Sequence, residues 1–577
     1  MGDARELSVS GMPRWAWVAI VLIAWCKLVL VSHDEIRAVP YDSVGFLGMA
    51  AARYWGAPYD QWHFARQPGY PLFVALGGSL GLPLRVWIEL TWLVAAGIAA
   101  RGLRVAGIGA AGSVLTFALL AFHPMVTVVF GLVYADTLYA CALLVLVVSV
   151  GAAVGEREER SRRRWGLMAG FAGIVAANSR QESAIVYGLL MVGLGLAGVE
   201  WWRARHQSLS GATLTGGTRD GRRARGRVML RRVGWAVALP LAMVFVSEHA
   251  VRLRTWKHTG AYVTSDLKLP GLRSLYRALV SIPPERGLVK VPIPRDVREK
   301  AAGASATFAA MKEVMEAHPA LRHYEEAAAH QLKVKGEFGA WSIWALYDAA
   351  WFMGEARPTS AAERDERLAR ATREIRAAMA EGRLARRWVP TAFLPPEWGE
   401  IARAIPGSAA ACWKKLGRAE YTRTRTVPVP REEESWFDGV ANRRSALVAL
   451  QKGDVPTGFS WLGKRTVARV DGVKVAIGEA LPVFTWVAVV VAVVGGVAGL
   501  WAMRRGRLGW SWAAMVVLVW AAMVSRFGLV VMLDVAGVDS EMRYLMPVAV
   551  LLVVGMMLGL RGLVAWLRPP PVGIGGG

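Results

Sequence analysis

Runs of apolar residues long enough to cross a lipid bilayer recur along most of this chain, and they restrict its fold more than any other feature. A helix needs about 20 apolar residues to span the roughly 30 Å hydrocarbon layer. The sequence therefore predicts a mostly α-helical, polytopic membrane protein with about ten transmembrane helices. The runs lie at 15–32, 84–100, 107–126, 137–154, 165–178, 183–200, 233–251, 481–502, 509–532 and 544–567.

Clusters of arginine between these runs indicate which loops face the cytoplasm. Short cytoplasmic loops of membrane proteins carry an excess of lysine and arginine. The alternation predicts a multi-pass protein of the inner (plasma) membrane with both the N-terminus and the C-terminus in the cytoplasm. The clusters are Arg101 with Arg104, EREERSRRR at 156–164, the arginines of 203–232, and RRGR at 504–507.

A formal net charge of +25 is typical of proteins that bind nucleic acid, but the placement of the charge argues against that function here. The basic loop 203–232 lacks interleaved aromatic residues, and basic loops of membrane proteins face anionic headgroups. We therefore expect membrane lipids, and no nucleic acid, as partners. The three cysteines show no CxxC or Cys/His spacing, so neither a zinc site nor a disulfide framework is indicated.

The chain divides into three predicted regions: an N-terminal transmembrane core at 1–252 with a catalytic outer loop, an outer soluble domain at 253–479, and C-terminal transmembrane helices at 480–577. Helical patterns within the middle region predict a mostly helical domain, inserted before the last three spans. The run GYPLFVALGGSLGL at 69–82 is short and interrupted by glycines. Counting it as a span would invert every later cluster, so we predict a juxtamembrane helix within outer loop 33–83.

Charged residues gather at the predicted outer ends of the spans. Solubility of a loop explains any one of them about as well as function does, but their shared side favours function for the group. Nucleotide-activated substrates do not cross the bilayer, so an activated group must reach this face on a lipid carrier. Such a reaction needs a carboxylate base and cations for the departing phosphate. The residues are Asp42, Arg66, Asp136, Arg180, Glu182, Glu541 and Arg543.

The order of the motifs resembles the glycosyltransferase C superfamily. The motifs are YDSVGFLGMA after the first span, the corner RQPGYP, an acid in VYADTLYA, SRQE after the fifth span, and RYLMP opening the last span. The pattern is most similar to lipid-A aminoarabinose transferases and protein O-mannosyltransferases, which use polyprenyl-phosphate sugars. The likeness covers about residues 15–200 and 480–567. It departs from the aminoarabinose transferases at Ala65-Arg66-Gln67, where those enzymes have an acid and a lysine.

The resemblance implies an inverting glycosyltransferase that moves a sugar from a polyprenyl-phosphate donor to a glycan, lipid or protein acceptor on the outer face. It makes Asp42 the catalytic general base. It makes a further set of residues substrate-binding: Asp136, Arg66, Arg180, Glu182, Arg543 and Tyr544. No cofactor is required by the motifs. A divalent cation between Asp42 and Asp136 stays open, because some members of the superfamily depend on cations.

Several alternatives remain at this stage. Asp34 and Glu35 imitate the double acid of some relatives and compete with Asp42 for the role of base. A non-enzymatic lipid or glycan transporter, or a scaffold whose outer domain binds a partner, is the contrasting class. A transporter typically shows polar groups near mid-bilayer and two matching halves, which are not evident here. Trp341, Trp344 and Tyr347 are candidates for a sugar-stacking face, although packing in a helix core is the more common use of such spacing.

Overall fold

The computed structural model describes residues 12–31, 34, 36, 41–211, 233–285, 290–389, 398–417, 464–538 and 541–568. Within these ranges the chain is built from helices and connecting turns, with no β-strand. The first nine helices are α1 (Arg14–Val31), α2 (Tyr41–Ala51), α3 (Gly69–Ser79), α4 (Leu84–Val105), α5 (Ala110–Ala121), α6 (Pro124–Val129), α7 (Ala135–Gly155), α8 (Glu159–Ser179) and α9 (Ser183–Gly211).

The remaining helices comprise one further span, a group of short helices, and three long C-terminal helices. They are α10 (Leu239–Thr259), α11 (Pro270–Val280), α12 (Arg295–Ala304), α13 (Ala306–Ala317), α14 (Arg322–Leu332), α15 (Ser342–Phe352), α16 (Ala361–Ala380), α17 (Trp398–Leu416), α18 (Lys464–Arg504), α19 (Trp510–Val535) and α20 (Met542–Leu567).

Nine helical stretches of the described residues are long and apolar enough to cross a membrane. They are α1, α4, α5 with α6, α7, α9, α10 with the π-helical turn before it, α18, α19 and α20. The tenth predicted span corresponds to α8, whose first turns read ERSRRR and are too charged to meet that description. The protein is thus a mostly helical polytopic membrane protein, and the count of ten spans stays a prediction.

Helix α8 nevertheless runs alongside α7 over its whole length. Arg180, directly after α8, pairs with Asp136 in the first turn of α7, so the end of one helix lies beside the start of the other. Both helices contain 21 residues, or about 31 Å at 1.5 Å per residue. The two helices are therefore antiparallel and cover the same thickness.

Helix α7 is the central helix of the bundle. Every residue from Ala135 to Val154 is buried, as expected for a helix that is apolar on all sides. Two short helices, α2 and α3, lie in the first loop; each has 11 residues and a length of about 16 Å, too short to span the bilayer. The segment 69–82 thus forms a short helix, as the sequence predicts.

A second hydrophobic core lies outside the bundle core, in residues 261–389, here called the helical insert. The start of α16 is capped by side chains. Ser360 accepts a hydrogen bond from the backbone N–H of Glu363, and the Glu363 carboxylate accepts one from the backbone N–H of Thr359. The core of the insert packs the apolar faces of α11, α13, α15 and α16 together. It also contains one residue of the first loop, Ala65, so the loop and the insert are packed as one unit.

Helices at the end of the predicted soluble region belong with the bundle. Cys412 and Leu416 of α17 are fully buried in the bundle core, because the apolar face of this helix packs against the long C-terminal helices. Trp413 contacts Trp486 of α18 at 5.1 Å between ring centroids. Helix α18 itself starts at Lys464 and runs without a break through its span. The hydrophobic core of the bundle therefore includes residues of the predicted region 253–479, and the boundary of that region stays a prediction.

Candidate active site

One cavity of about 100 Å³ opens at the end of the bundle where α7 begins and α8 ends. The first loop, the turn between α8 and α9, and the start of α20 close around it. Its walls are predominantly polar, although they sit at the ends of apolar helices. The lining residues are Phe46, Arg66, Gln67, Tyr134, Ala135, Asp136, Ser179, Arg180, Gln181, Glu182, Arg543 and Tyr544.

Six of the seven site residues predicted from the sequence line this cavity. They come from four separate parts of the chain, and no pair of these parts is adjacent in sequence. The six are Arg66, Asp136, Arg180, Glu182, Arg543 and Tyr544. The fold thus brings together the residues that the motifs selected, while the chemical role of each stays a prediction.

The seventh residue, Asp42, is the second residue of α2, and its side chain lies outside the described part of the structure. The next residue, Ser43, is buried and donates a hydrogen bond to the carbonyl oxygen of Val133 at 3.1 Å. One turn further along α2, Phe46 lines the cavity and contacts Tyr70 edge-on at 5.1 Å. The first turn of α2 is therefore held at the edge of the cavity.

Asp136, Arg180 and Glu182 form the charged floor of the cavity. Arg180 Nη1 lies 2.5 Å from Asp136 Oδ1. Its Nε and Nη2 donate to the two carboxylate oxygens of Glu182 at 2.7 and 2.8 Å, a bidentate pair. Burial alone would raise the pKa of Glu182, but the positive charges of Arg180 and Arg526 lower it to about 2. Glu182 therefore stays ionised and holds Arg180 rather than exchanging protons.

Arg526 is a member of this cluster that our sequence analysis missed. It lies within the apolar helix α19 and is completely buried. Its guanidinium reaches Asp136 at 3.5 Å and Glu182 at 3.2 Å, and its Nε donates to the carbonyl oxygen of Tyr544 at 3.1 Å. An arginine inside a membrane-spanning run is a functional candidate by default, and the run WAAMVSRFGLVVML contains that signal.

Arg543 and Tyr544 form the wall opposite the floor. The Cζ atom of Arg543 lies 3.5 Å from the ring centroid of Tyr134, and its Nη2 donates to the Tyr544 hydroxyl at 3.1 Å. Arg543 also pairs with Glu541 at 2.8 Å. The ring of Tyr544 faces Arg180, with 5.2 Å between the Arg180 Cζ atom and the ring centroid. Aromatic faces thus orient both guanidinium groups beside the cavity.

The Arg-Gln-Pro corner of the first loop completes the cavity. The amide nitrogen of Gln67 donates to the Thr264 hydroxyl at 3.0 Å, and Tyr54 donates its hydroxyl to the Arg66 carbonyl oxygen at 2.7 Å. Directly after the corner, Gly69 lies against the end of α8. A Cβ atom at this position would come within 2.6 Å of the Asn178 carbonyl oxygen. Only glycine allows the corner to approach the floor so closely.

The charged side chains that the structure describes around the cavity include guanidinium groups and carboxylates, and the Asp42 side chain is not among those described. Four guanidinium groups, of Arg66, Arg180, Arg526 and Arg543, stand against three carboxylates, of Asp136, Glu182 and Glu541. A phosphate suits guanidinium donors. Among the described residues no group of three His, Cys, Asp or Glu side chains is arranged to hold a metal ion.

Asp34, the competing candidate for the base, lies in a different cluster. Its carboxylate contacts Lys474 at 2.6 Å and Arg85 at 3.5 Å. Arg85 also pairs with Glu89, four residues further along α4, at 2.9 Å. Asp34 is thus held by two cations in a network that joins the ends of α1, α4 and α18. Its neighbour Glu35 lies outside the described residues.

The aromatic residues of α15 separate into different environments. Tyr347 is completely buried and donates its hydroxyl to the carbonyl oxygen of Gln61 at 2.9 Å. Trp341 stacks against Tyr324 inside the insert. Trp344 instead faces the first loop, where the Arg66 Cζ atom lies 4.3 Å from its ring centroid. Trp341 and Tyr347 thus pack within the insert, the more common use of such spacing, and Trp344 contacts Arg66, which lines the cavity.

No protein-family model and no curated protein matches this chain. Three solved structures show partial similarity to it. The S. cerevisiae protein O-mannosyltransferase Pmt1-Pmt2 complex bound to the sugar donor is 14% identical, over 43% of this chain and 35% of that chain, with a TM-score of 0.32. The alignment thus spans about a third of the length of that protein.

ArnT from Cupriavidus metallidurans is similar over nearly the whole chain. In the apo state it is 15% identical, over 95% of this chain and 78% of that chain, with a TM-score of 0.30. Bound to undecaprenyl phosphate it is 15% identical, over 96% and 78%, with a TM-score of 0.31. Both kinds of protein are among those that the sequence motifs resemble.

Proposed function

We propose that this protein is an integral-membrane glycosyltransferase, which moves a sugar from a polyprenyl-phosphate donor to an acceptor hydroxyl at the outer face of the membrane. The observation that carries the proposal is the single cavity at which six motif residues from four parts of the chain converge. Its three lining guanidinium groups, of Arg66, Arg180 and Arg543, suit a phosphate. Its position at the ends of membrane-spanning helices suits a substrate that remains anchored in lipid.

In the proposed reaction Asp42 acts as the general base. It removes the proton of the acceptor hydroxyl, and the hydroxyl oxygen attacks the anomeric carbon of the donor sugar. The bond between that carbon and the phosphate oxygen breaks, and its electron pair leaves with polyprenyl phosphate. Because attack and departure occur on opposite sides of the carbon, the anomeric configuration inverts.

The cations have separate roles in this proposal. Arg180 and Arg543 contact the departing phosphate, whose negative charge grows as the bond breaks. Arg180 is held in place by its neighbours. Asp136 and Glu182 each pair with both Arg180 and Arg526, and these ion pairs fix the direction of the Arg180 guanidinium. Arg66 and Tyr544 close the sides of the cavity. A group held rigidly in this way loses little energy to reorganisation during the reaction.

The proposal is tested by discharge of labelled polyprenyl-phosphate sugars in proteoliposomes containing membrane extract as a source of acceptors. Wild type should consume one donor of the panel. Asp42→Asn should lower turnover at least about a hundredfold, the typical contribution of one general base, while leaving the protein folded. Asp34→Asn is the matched control: it removes a carboxylate held by two cations outside the cavity, and turnover per folded molecule should stay near that of wild type.

Either of two results would overturn the assignment of the base: near-normal turnover by Asp42→Asn, or a hundredfold loss confined to Asp34→Asn. If wild type discharges no donor yet moves a labelled lipid or glycan across the membrane, the protein is a transporter. If it binds polyprenyl phosphate without discharge or transport, a scaffold role replaces catalysis.

A further inference from the structure

Trp62 is an exposed aromatic residue in a loop whose other aromatic rings are buried or half-buried. Its side chain is 38% exposed, while Tyr54 and Phe64 of the same loop are almost completely buried. An isolated exposed tryptophan needs no explanation by itself. Here, however, the ring contacts Trp344, which in turn contacts the cavity residue Arg66, and the backbone that carries Trp62 is held on both sides.

Hydrogen bonds fix the backbone around Trp62. The carboxylate of Asp60 accepts from the backbone N–H groups of Trp62 at 2.8 Å and of His63 at 2.6 Å. The carbonyl oxygen of Gln61 accepts from Tyr347 of α15 at 2.9 Å and from Arg364 of α16 at 3.3 Å. The ring is therefore presented from a rigid backbone, which lowers the conformational entropy lost when a ligand binds to it.

The buried network behind the loop explains this rigidity. The carboxylate of Asp266 is fully buried, accepts a hydrogen bond from Tyr59 at 2.6 Å, and lies 3.3 Å from the Tyr347 hydroxyl oxygen. Arg364 lies 3.6 Å from the same carboxylate, and its Cζ atom lies 4.0 Å from the ring centroid of Tyr347. Burial raises the pKa of Asp266. The network joins the helical insert to the loop on either side of Gln61.

A chain of side-chain contacts links Trp62 to the cavity by way of Trp344. The two indole rings have centroids 5.8 Å apart and an angle of 31° between their planes. The guanidinium carbon of Arg66 lies 4.3 Å from the Trp344 centroid, and Arg66 lines the cavity. The three side chains form a surface from the cavity wall to the solvent, here called the aromatic platform (Trp62, Trp344 and Arg66).

We propose that the aromatic platform binds a pyranose ring, with the exposed face of Trp62 as its main contact. One face of a pyranose presents C–H bonds of positive partial charge, which suit the negative face of an indole. The Arg66 guanidinium beside the rings can donate to sugar hydroxyls. This proposal extends the transferase assignment by naming a saccharide contact; the ring belongs either to the donor sugar or to a sugar of the acceptor.

The test measures dissociation constants by saturation-transfer NMR with purified protein in nanodiscs. The probes are a short-chain prenyl phosphate, the same phosphate carrying mannose or glucose, and a panel of methyl glycosides. Trp62→Ala should weaken binding of at least one saccharide probe about 3- to 10-fold, and Trp62→Phe should retain most of the affinity. Trp388→Ala, which removes another exposed indole of the insert, should leave the affinity unchanged.

Comparison of the affinities for the different probes identifies whether the bound sugar belongs to the donor or to the acceptor. Weaker binding of the glycosylated phosphate, with binding of the bare phosphate unchanged, assigns the platform to the donor; weaker binding of methyl glycosides assigns it to the acceptor. The proposal is overturned if wild type binds no saccharide probe, or if Trp62→Ala leaves every affinity unchanged. Equal weakening of the bare phosphate also overturns it, since it marks Trp62 as an anchor in the lipid headgroup region.

Failure of the platform proposal can be distinguished from failure of the transferase proposal. Trp62-dependent saccharide binding by a protein that discharges no donor supports the platform and refutes the reaction. Normal donor discharge by Trp62→Ala, with unchanged affinities and an unchanged KM, supports the reaction and refutes the platform.

Discussion

Replacement of Arg526 by methionine tests the charge balance beneath the cavity. Methionine has a similar length and keeps the apolar contacts of a buried helix position, but it removes the positive charge. Arg526 is completely buried and contacts Asp136 at 3.5 Å and Glu182 at 3.2 Å. Without it, two buried carboxylates share the single guanidinium of Arg180.

The expected loss of stability is large because an uncompensated charge remains in a buried site. Breaking a buried ion pair by removing one partner costs about 3–5 kcal/mol. Removing the excess carboxylate should recover much of this loss, so the double variant Arg526→Met/Glu182→Gln should be more stable than Arg526→Met alone. Arg526→Lys should be intermediate, since one ammonium group cannot contact both carboxylates and the Tyr544 carbonyl oxygen together.

Thermal inactivation in detergent, followed as the fraction of protein that remains monodisperse after heating, measures these differences. Arg295→Met is the control: it breaks an exposed pair with Glu299 of a kind that contributes about 0–1 kcal/mol. Two results would refute the reasoning: a midpoint for Arg526→Met equal to that of the Arg295 control, or a double variant less stable than Arg526→Met alone.

Two further predictions concern the first loop and the insert. Gly69→Ala should lower thermal stability and abolish donor discharge, because its Cβ would lie 2.6 Å from the Asn178 carbonyl oxygen; Gly303→Ala, with open space around it, should do neither. Burial raises the pKa of Asp348 to about 6, so it binds a proton more tightly in the folded than in the unfolded chain. Wild-type stability should therefore fall by about 3 kcal/mol between roughly pH 3 and pH 7 relative to Asp348→Asn, as followed by melting curves.

The helices of the bundle could be predicted from the sequence because each is a long apolar run with a clear boundary. The arginine clusters then predicted which ends of the helices lie on the same side. Charged residues at one set of ends line a single cavity in the structure. Helix α8 shows the limit of that approach. The apolar run predicts a span only at 165–178, because the first turns of the helix are charged, whereas the helix itself begins at Glu159. The contact between Asp136 and Arg180 shows that it runs the length of α7.

The remainder of the site depends on contacts between distant parts of the chain. Arg526 carried a signal, a charge within an apolar run, but its partners are hundreds of residues away in sequence. The bond from Tyr347 to the carbonyl oxygen of Gln61 joins residues 286 positions apart. Neither periodicity nor composition contains such pairings, so the role of the insert in holding the first loop emerged only from the structure.

Direct observation of the donor in the cavity is the measurement that tests the central claim most directly. Cryo-electron microscopy of the protein in nanodiscs with a phosphonate analogue of a polyprenyl-phosphate sugar would locate the anionic group. We predict density for the phosphonate within hydrogen-bonding distance of Arg180 or Arg543, with the anomeric carbon directed toward the first turn of α2 and Asp42. An analogue bound elsewhere on the protein, or in the cavity with its phosphonate away from both arginines, would contradict the proposed transferase site.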